Sequence, residues 1–201
     1  MTATAEPDQA LREAQKALQA GDFASAARIA DSLLADRPDS QDALYMAAVS
    51  ARYQGRHDAA LSHLAALKRI APDYGRAYQE EGHLKRALGD MAGAVAAFER
   101  ATRYNPSLAA SWTALADLYH QAGQLDASAN ARAQADRVRA LPRELQAVTN
   151  HVHEGRVFRA EEIARAFLKR HPTHVEGMRL LADIGSRLGV QEDADFLLES
   201  A

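Results

Sequence analysis

Hydrophobic positions recur along this chain at helical spacing, in short runs that stop at the same kinds of residue. Between residues 78 and 88 the apolar Tyr78, Leu84 and Leu88, with small Gly82, alternate with charged side chains as on one stripe of an amphipathic helix. Gly89 follows, and glycine takes the positive φ that a helix C-terminus commonly needs. Asp90 is then placed to cap a second helix. In that second run Val95, Phe98 and Ala101 lie three apart, another buried stripe, and the run stops at Asn105-Pro106. Proline has no N–H and disfavours helix at the residue before it, so the pattern predicts helix, glycine turn, helix, proline stop.

The same punctuation repeats. Gly21, Gly55, Gly89, Gly123, Gly155 and Gly189 are spaced 34, 34, 34, 32 and 34 residues apart. Five residues after each stands a small one: Ala26, Ala60, Ala94, Ser128, Ala160 and Ala194. A side chain no larger than a methyl or hydroxymethyl there lets the two helices of a unit close on each other. Seventeen residues after the glycines come Pro38, Pro72, Pro106 and Pro172, with Ala140 in the fourth place. A period of this size marks a stacked repeat in which each unit covers its neighbour's apolar face. The expected fold class is all-α, about six helix-turn-helix units and no strand.

The other units fit the template. Leu44, Ala47, Ala48 and Ala51 precede Gly55, and Trp112, Leu115, Ala116 and Tyr119 precede Gly123. That last set is a W-x2-L-A-x2-Y run, and on it the chain resembles a tetratricopeptide repeat (TPR) array over residues 7–201. The resemblance implies a right-handed superhelical solenoid whose first helices line a concave groove, with Trp112 as a packing residue rather than a ligand platform. Residues 1–6 are expected to form a disordered tail, 7–140 four regular units, and 141–201 two looser ones. At the junction the spacing drops to 32, and Arg132 stands where other units carry Leu64 or Phe98. The second helix there is expected to run on to Pro142, with Pro142 in the first turn of the next helix. The sixth unit carries Met178, Leu181, Ala182, Leu188 and Gly189, but its second helix ends about one turn short at 195–201, as expected of the N-terminal region of a longer protein.

Composition narrows the function. Lys and Arg number 24 against 27 Asp and Glu, a formal charge of -3, so no basic field favours nucleic acid. The chain has no cysteine, which excludes disulfides, thiolate metal sites and thiol nucleophiles. No apolar run reaches the ~18 residues of a membrane span, and the start carries no signal-peptide pattern, so no membrane insertion and a cytoplasmic location are expected.

Catalytic patterns fail one by one. There is no G-x-G-x-x-G and no Gly-Lys pair. His153-Glu154 begins an H-E-x-x-H, but Val157 occupies the second histidine's place. His151 and His153 lie ~200° apart on a helix and cannot share a metal, and His171 and His174 read as exposed turn histidines. The pairs Glu80-Glu81 and Glu161-Glu162 point to different helix faces and read as solvated charges. No catalytic residue, metal or cofactor is expected within these residues, and no enzyme.

Binding is then the expected role. The resemblance implies that the second, fifth, ninth, twelfth and thirteenth positions of each unit face the groove. These are Asp42, Tyr45, Val49, Arg52 and Tyr53, then Arg76, Gln79, His83, Arg86 and Ala87, then Ala110, Thr113, Asp117, His120 and Gln121. Arg52, Arg76 and Arg86 interleaved with Tyr45 and Tyr53 would seat an extended protein or peptide segment with acidic groups. The Lys and Asn of the chaperone-binding TPR clamp are replaced here by Leu11 and Gln15. Residues 71–83, 174–185 and 196–200 also resemble the N-terminal repeats of bacterial TPR-containing sulfotransferases. That narrower resemblance implies an acceptor-selecting array, with phosphoadenosine phosphosulfate used only in a domain beyond residue 201. Two readings stay open: a protein- or peptide-binding module, or the recognition part of such a sulfotransferase.

Overall fold

The computed structural model describes residues 5–189, with side chains from residue 9 onward. Among them are eleven helices and no strand: α1 (Ala5–Gln19), α2 (Phe23–Asp36), α3 (Gln41–Tyr53), α4 (His57–Ile70), α5 (Gly75–Ala87), α6 (Met91–Tyr104), α7 (Ala109–Gln121), α8 (Leu125–Ala140), α9 (Arg143–His153), α10 (Val157–Arg170) and α11 (Val175–Leu188). This is the all-α repeat array that the periodicity predicts. α1 begins at Ala5, inside the stretch expected as a tail. The sixth unit's second helix lies outside the described residues.

The glycine ladder has a hydrogen-bonding cause. All six glycines have positive φ, between 71° and 82°. That conformation turns the next N–H back onto the helix just ended. Asp22, Arg56, Asp90, Gln124 and Arg156 each donate to the carbonyl five residues earlier, at 2.8–2.9 Å. Carbonyls that the helix end would leave unsatisfied are thereby paired, and the chain is aimed into the following helix. At two turns the incoming helix is also capped by a side chain: Asp22 accepts from Ser25 N–H at 3.0 Å and Asp90 from Gly93 N–H at 2.8 Å.

The proline turns are tied down as well. Tyr78 Oη donates to the Pro72 carbonyl at 2.7 Å, and one repeat later Trp112 Nε1 donates to the Pro106 carbonyl at 2.8 Å. Each aromatic thus packs its ring while its polar edge satisfies a turn carbonyl, which explains the large polar-tipped aromatic at this place. The small positions five after the glycines are fully enclosed: Ala26, Ala60, Ala94 and Ala160 are all 0% exposed. Ser128, the exception, donates its hydroxyl to the Ala116 carbonyl at 2.8 Å, so its burial leaves no orphan.

The helices form two compact units, one ending at Arg100 and the other beginning at Ala101. The division falls inside α6. In the first unit Leu44, Leu64, Leu67, Tyr74 and Leu84 make the core, and Phe98 is fully buried. In the second, Leu145, Val148, Phe167, Leu181 and Ile184 do so. α8 is longer than its counterparts, as expected, and buries only Ser128, Ala131 and Ala135. Arg132 swings outward, its side chain 61% exposed, because a guanidinium at that place has no buried partner. Pro142 is the N-cap of α9, one position before the first turn in which it was expected.

Gly82 in α5 has a packing reason for its missing side chain, since a Cβ there would lie 2.8 Å from the Phe98 ring. Because Phe98 is fully buried, its ring has nowhere to retreat. Gly82→Ala is expected to cost about 1–3 kcal/mol by overpacking. Gly89→Ala, in open space but at φ +82°, is expected to cost about 1–2 kcal/mol by backbone strain alone. Urea titrations followed by circular dichroism check both.

Candidate functional site

The site begins with a carboxylate in the wrong place for a charge. Glu80, on the inner side of α5, occupies the repeat position held by buried Met46 in the unit before and buried Ala114 in the unit after. It is 4% exposed. A buried carboxylate must find a partner or lose its charge. Glu80 finds Arg52, in the last turn of α3, whose Nε donates to Glu80 Oε2 at 2.6 Å. Burial pushes the Glu80 carboxyl above its ordinary range, and the Arg52 charge pulls against that.

Arg52 in turn meets aromatic rings. Its guanidinium carbon lies 4.2 Å from the centre of the Tyr53 ring, and that ring stacks on Phe23 at 4.2 Å with an interplanar angle of 5°. On the neighbouring face Arg76 of α5 approaches the Tyr45 ring at 5.9 Å, while Tyr45 meets Tyr74 edge-on at 5.8 Å. Glu80, Arg52, Tyr53, Phe23, Arg76 and Tyr45, together with Gln15, Leu18 and Gln19 of α1, line a recess of about 500 Å³ within the first unit.

Of the stripe expected from sequence, Tyr45, Arg52, Tyr53 and Arg76 line this recess. Val49 lines it too, but is buried. Gln79, His83 and Arg86 lie on the same helix without reaching it. Gln79 is half-buried and Arg86 exposed. His83 packs edge-on against Phe98 at 5.0 Å, and burial, with Arg52 and Arg86 nearby, lowers its pKa to about 4. It is a neutral ring at neutral pH and not a cation for a ligand.

Thr113, Asp117 and His120 belong to α7 in the second unit. The Thr113 hydroxyl donates to the Ala109 carbonyl at 2.9 Å and accepts from Arg139 Nη2 at 2.6 Å. Asp117 lies 3.9 Å from Arg132, and His120 is exposed. Arginines of α8 therefore answer two of these three.

One reading of charge is corrected. Glu80 and Glu81 are not solvated: the first is buried against Arg52, and the second accepts from Lys68 Nζ of α4 at 2.8 Å. They do point to different faces, as adjacent helical residues must. His171 is exposed beside the turn as expected, whereas His174 is half-buried. Both rings pack on Phe167, and His174 Nδ1 accepts from Gly177 N–H at 3.2 Å as the N-cap of α11. The stripe missed Glu80, Phe23, Leu18 and Gln19. For Glu80 a signal existed, since no solvated charge belongs where the flanking repeats place Met46 and Ala114.

The tetratricopeptide repeat family matches residues 11–75 and 80–141, more than half of the chain. The chain belongs to the tetratricopeptide repeat family. Repeats of this family typically serve as protein-interaction scaffolds. Among solved structures it resembles PilW, a type IV pilus biogenesis factor, at 16% identity over 96% of this chain and 91% of that one, with a TM-score of 0.60. It also resembles Pseudomonas aeruginosa PilF at 15% identity over 95% and 88%, again with a TM-score of 0.60. A third likeness, to the Naa15/Naa10 complex bound to HypK-THB, has 19% identity over 96% of this chain and 31% of that one, with a TM-score of 0.58. At these identities the likeness is one of fold. No curated protein matches the chain in sequence. No helix among the described residues is long and apolar enough to cross a membrane.

The depressed His83 pKa makes a signed prediction. The unfolded chain binds a proton near pH 6.5, whereas the folded one does so near pH 4. The stability that neutral His83 contributes is therefore present above pH 6.5 and is lost as pH falls toward 4. The urea midpoint of the parent is expected to drop toward that of His83→Gln across this window, measured by parallel titrations at stepped pH.

Proposed function

We propose that the first unit's recess binds an extended segment of a partner protein that carries a carboxylate beside an apolar or planar side chain. The observation behind this reading is the arrangement of Arg52 and Arg76 against the rings of Tyr53 and Tyr45. A guanidinium offers a carboxylate paired donors, and an adjacent ring face receives an apolar group without extra side-chain ordering. The amides of Gln15 and Gln19, one turn apart on α1, supply donors and acceptors for peptide backbone. An all-helical wall has no strand edge to do so. With Tyr53 56% exposed, its ring edge is open to an incoming chain.

The sulfotransferase reading makes the same groove the acceptor-selecting part of a larger enzyme. It rests on the resemblance of residues 71–83, 174–185 and 196–200.

Selection of random twelve-residue peptides on the full chain tests the binding reading. Peptides are expected to emerge whose affinity falls at least tenfold with Arg76→Glu and stays within twofold with Arg86→Glu, since Arg86 lies outside the recess. Equal losses with both variants, or none with either, would contradict it.

A further inference from the structure

The charge of the recess is set by one residue that a ligand need not touch. Its walls carry the guanidinium groups of Arg52 and Arg76 and the carboxylate of Glu80, so two positive charges less one negative leave a single net positive charge. Glu80 is held in place from both sides. It is buried in the wall of the recess, bonded to Arg52 at 2.6 Å, and within the field of Arg76. A core made only of packing would have an apolar residue there, as the preceding repeat does with Met46 and the following one with Ala114. Met46 shows that the fold accommodates a long apolar side chain at this place. The carboxylate is thus not dictated by the repeat.

On the reading that this recess binds a peptide, we infer that Glu80 is its charge-selectivity residue. Glu80 neutralises part of the arginine pair, so that the recess accepts an isolated carboxylate and disfavours a phosphate group or a run of acidic residues. The physical ground is distance and dielectric. A fixed negative charge buried in the wall beside the guanidinium that would meet the ligand's anion is only weakly screened by salt. A carboxylate brings one negative charge to the remaining positive one. A phosphoserine brings between one and two and meets Glu80's repulsion as well.

Glu80 has no contact with solvent large enough to make it a ligand in its own right. It acts through Arg52, whose Nε it occupies while leaving the guanidinium over the Tyr53 ring. Replacing Glu80 by a neutral residue would remove the one negative charge from the wall of the recess and leave both guanidinium charges there.

The test uses a peptide selected on the parent protein, in two forms: with its single Glu, and with phosphoserine in that place. On the parent the Glu form is expected to bind more tightly. On Glu80→Gln the ratio of the two dissociation constants is expected to shift about tenfold toward the phosphoserine form. Glu80→Met repeats the measurement with the residue that the preceding repeat already carries, and circular dichroism verifies that each variant is folded. The same shift in Glu80→Met supports the inference even if Glu80→Gln fails to fold. An unchanged ratio in the folded variants overturns it and leaves the peptide-binding reading standing. If selection on the parent returns no recess-dependent peptide, both readings fall.

Discussion

The first unit's recess depends on one ion pair. Glu80 sits at a position whose neighbours in the repeat are apolar, and a carboxylate buried there alone would cost several kcal/mol. Arg52 offsets part of that cost by reaching from α3 to α5, across 28 residues of sequence. The bond fixes more than two side chains. With its Nε committed to Glu80, the Arg52 guanidinium lies over Tyr53, Tyr53 stacks on Phe23, and Gln54 Nε2 donates to the Phe23 carbonyl at 2.6 Å. One buried carboxylate thereby links α5 to α3 and α3 to the start of α2.

That link is possible because the turns deliver the helices in register. Each glycine at positive φ lets the following N–H return to the helix just ended, and each proline turn between Tyr78 and Pro72, or Trp112 and Pro106, is closed by a polar aromatic edge. Such bonds are local and repeat with the period. They set where a helix begins and how it leaves its neighbour, while the contents of its inner face remain open to variation. Glu80 is such a variation, tolerated because its partner stands on the adjacent repeat.

The distinction explains what could be read from sequence. The helices and their stops were legible, because glycine and proline act on the residues beside them. Tyr45, Arg52, Tyr53 and Arg76 were legible as one face, because angular position on a helix is arithmetic. The partner of each side chain was not. The stripe gives His83 the same standing as Arg76, yet the His83 ring turns onto Phe98, beside the space that Gly82 leaves. Thr113 and Asp117 have the right angular positions as well, but Arg139 and Arg132 reach them from α8, whose core places are filled by small residues. Phe23 escaped because it opens a second helix, and the stripe counted first helices only. Where a long side chain ends is decided between helices, and sequence periodicity is blind to that.

A double-mutant cycle on Arg52 and Glu80 tests the account at its root. The urea stabilities of the parent, Arg52→Ala, Glu80→Met and the combination give the coupling between the two residues. Arg52→Ala alone leaves a buried carboxylate without its partner and is expected to cost about 3–5 kcal/mol, much of which Glu80→Met should restore in the double variant. A coupling of about 2 kcal/mol or more is the predicted result. Additive effects, within about 0.5 kcal/mol, would mean that the pair is incidental and that the recess is organised by something else.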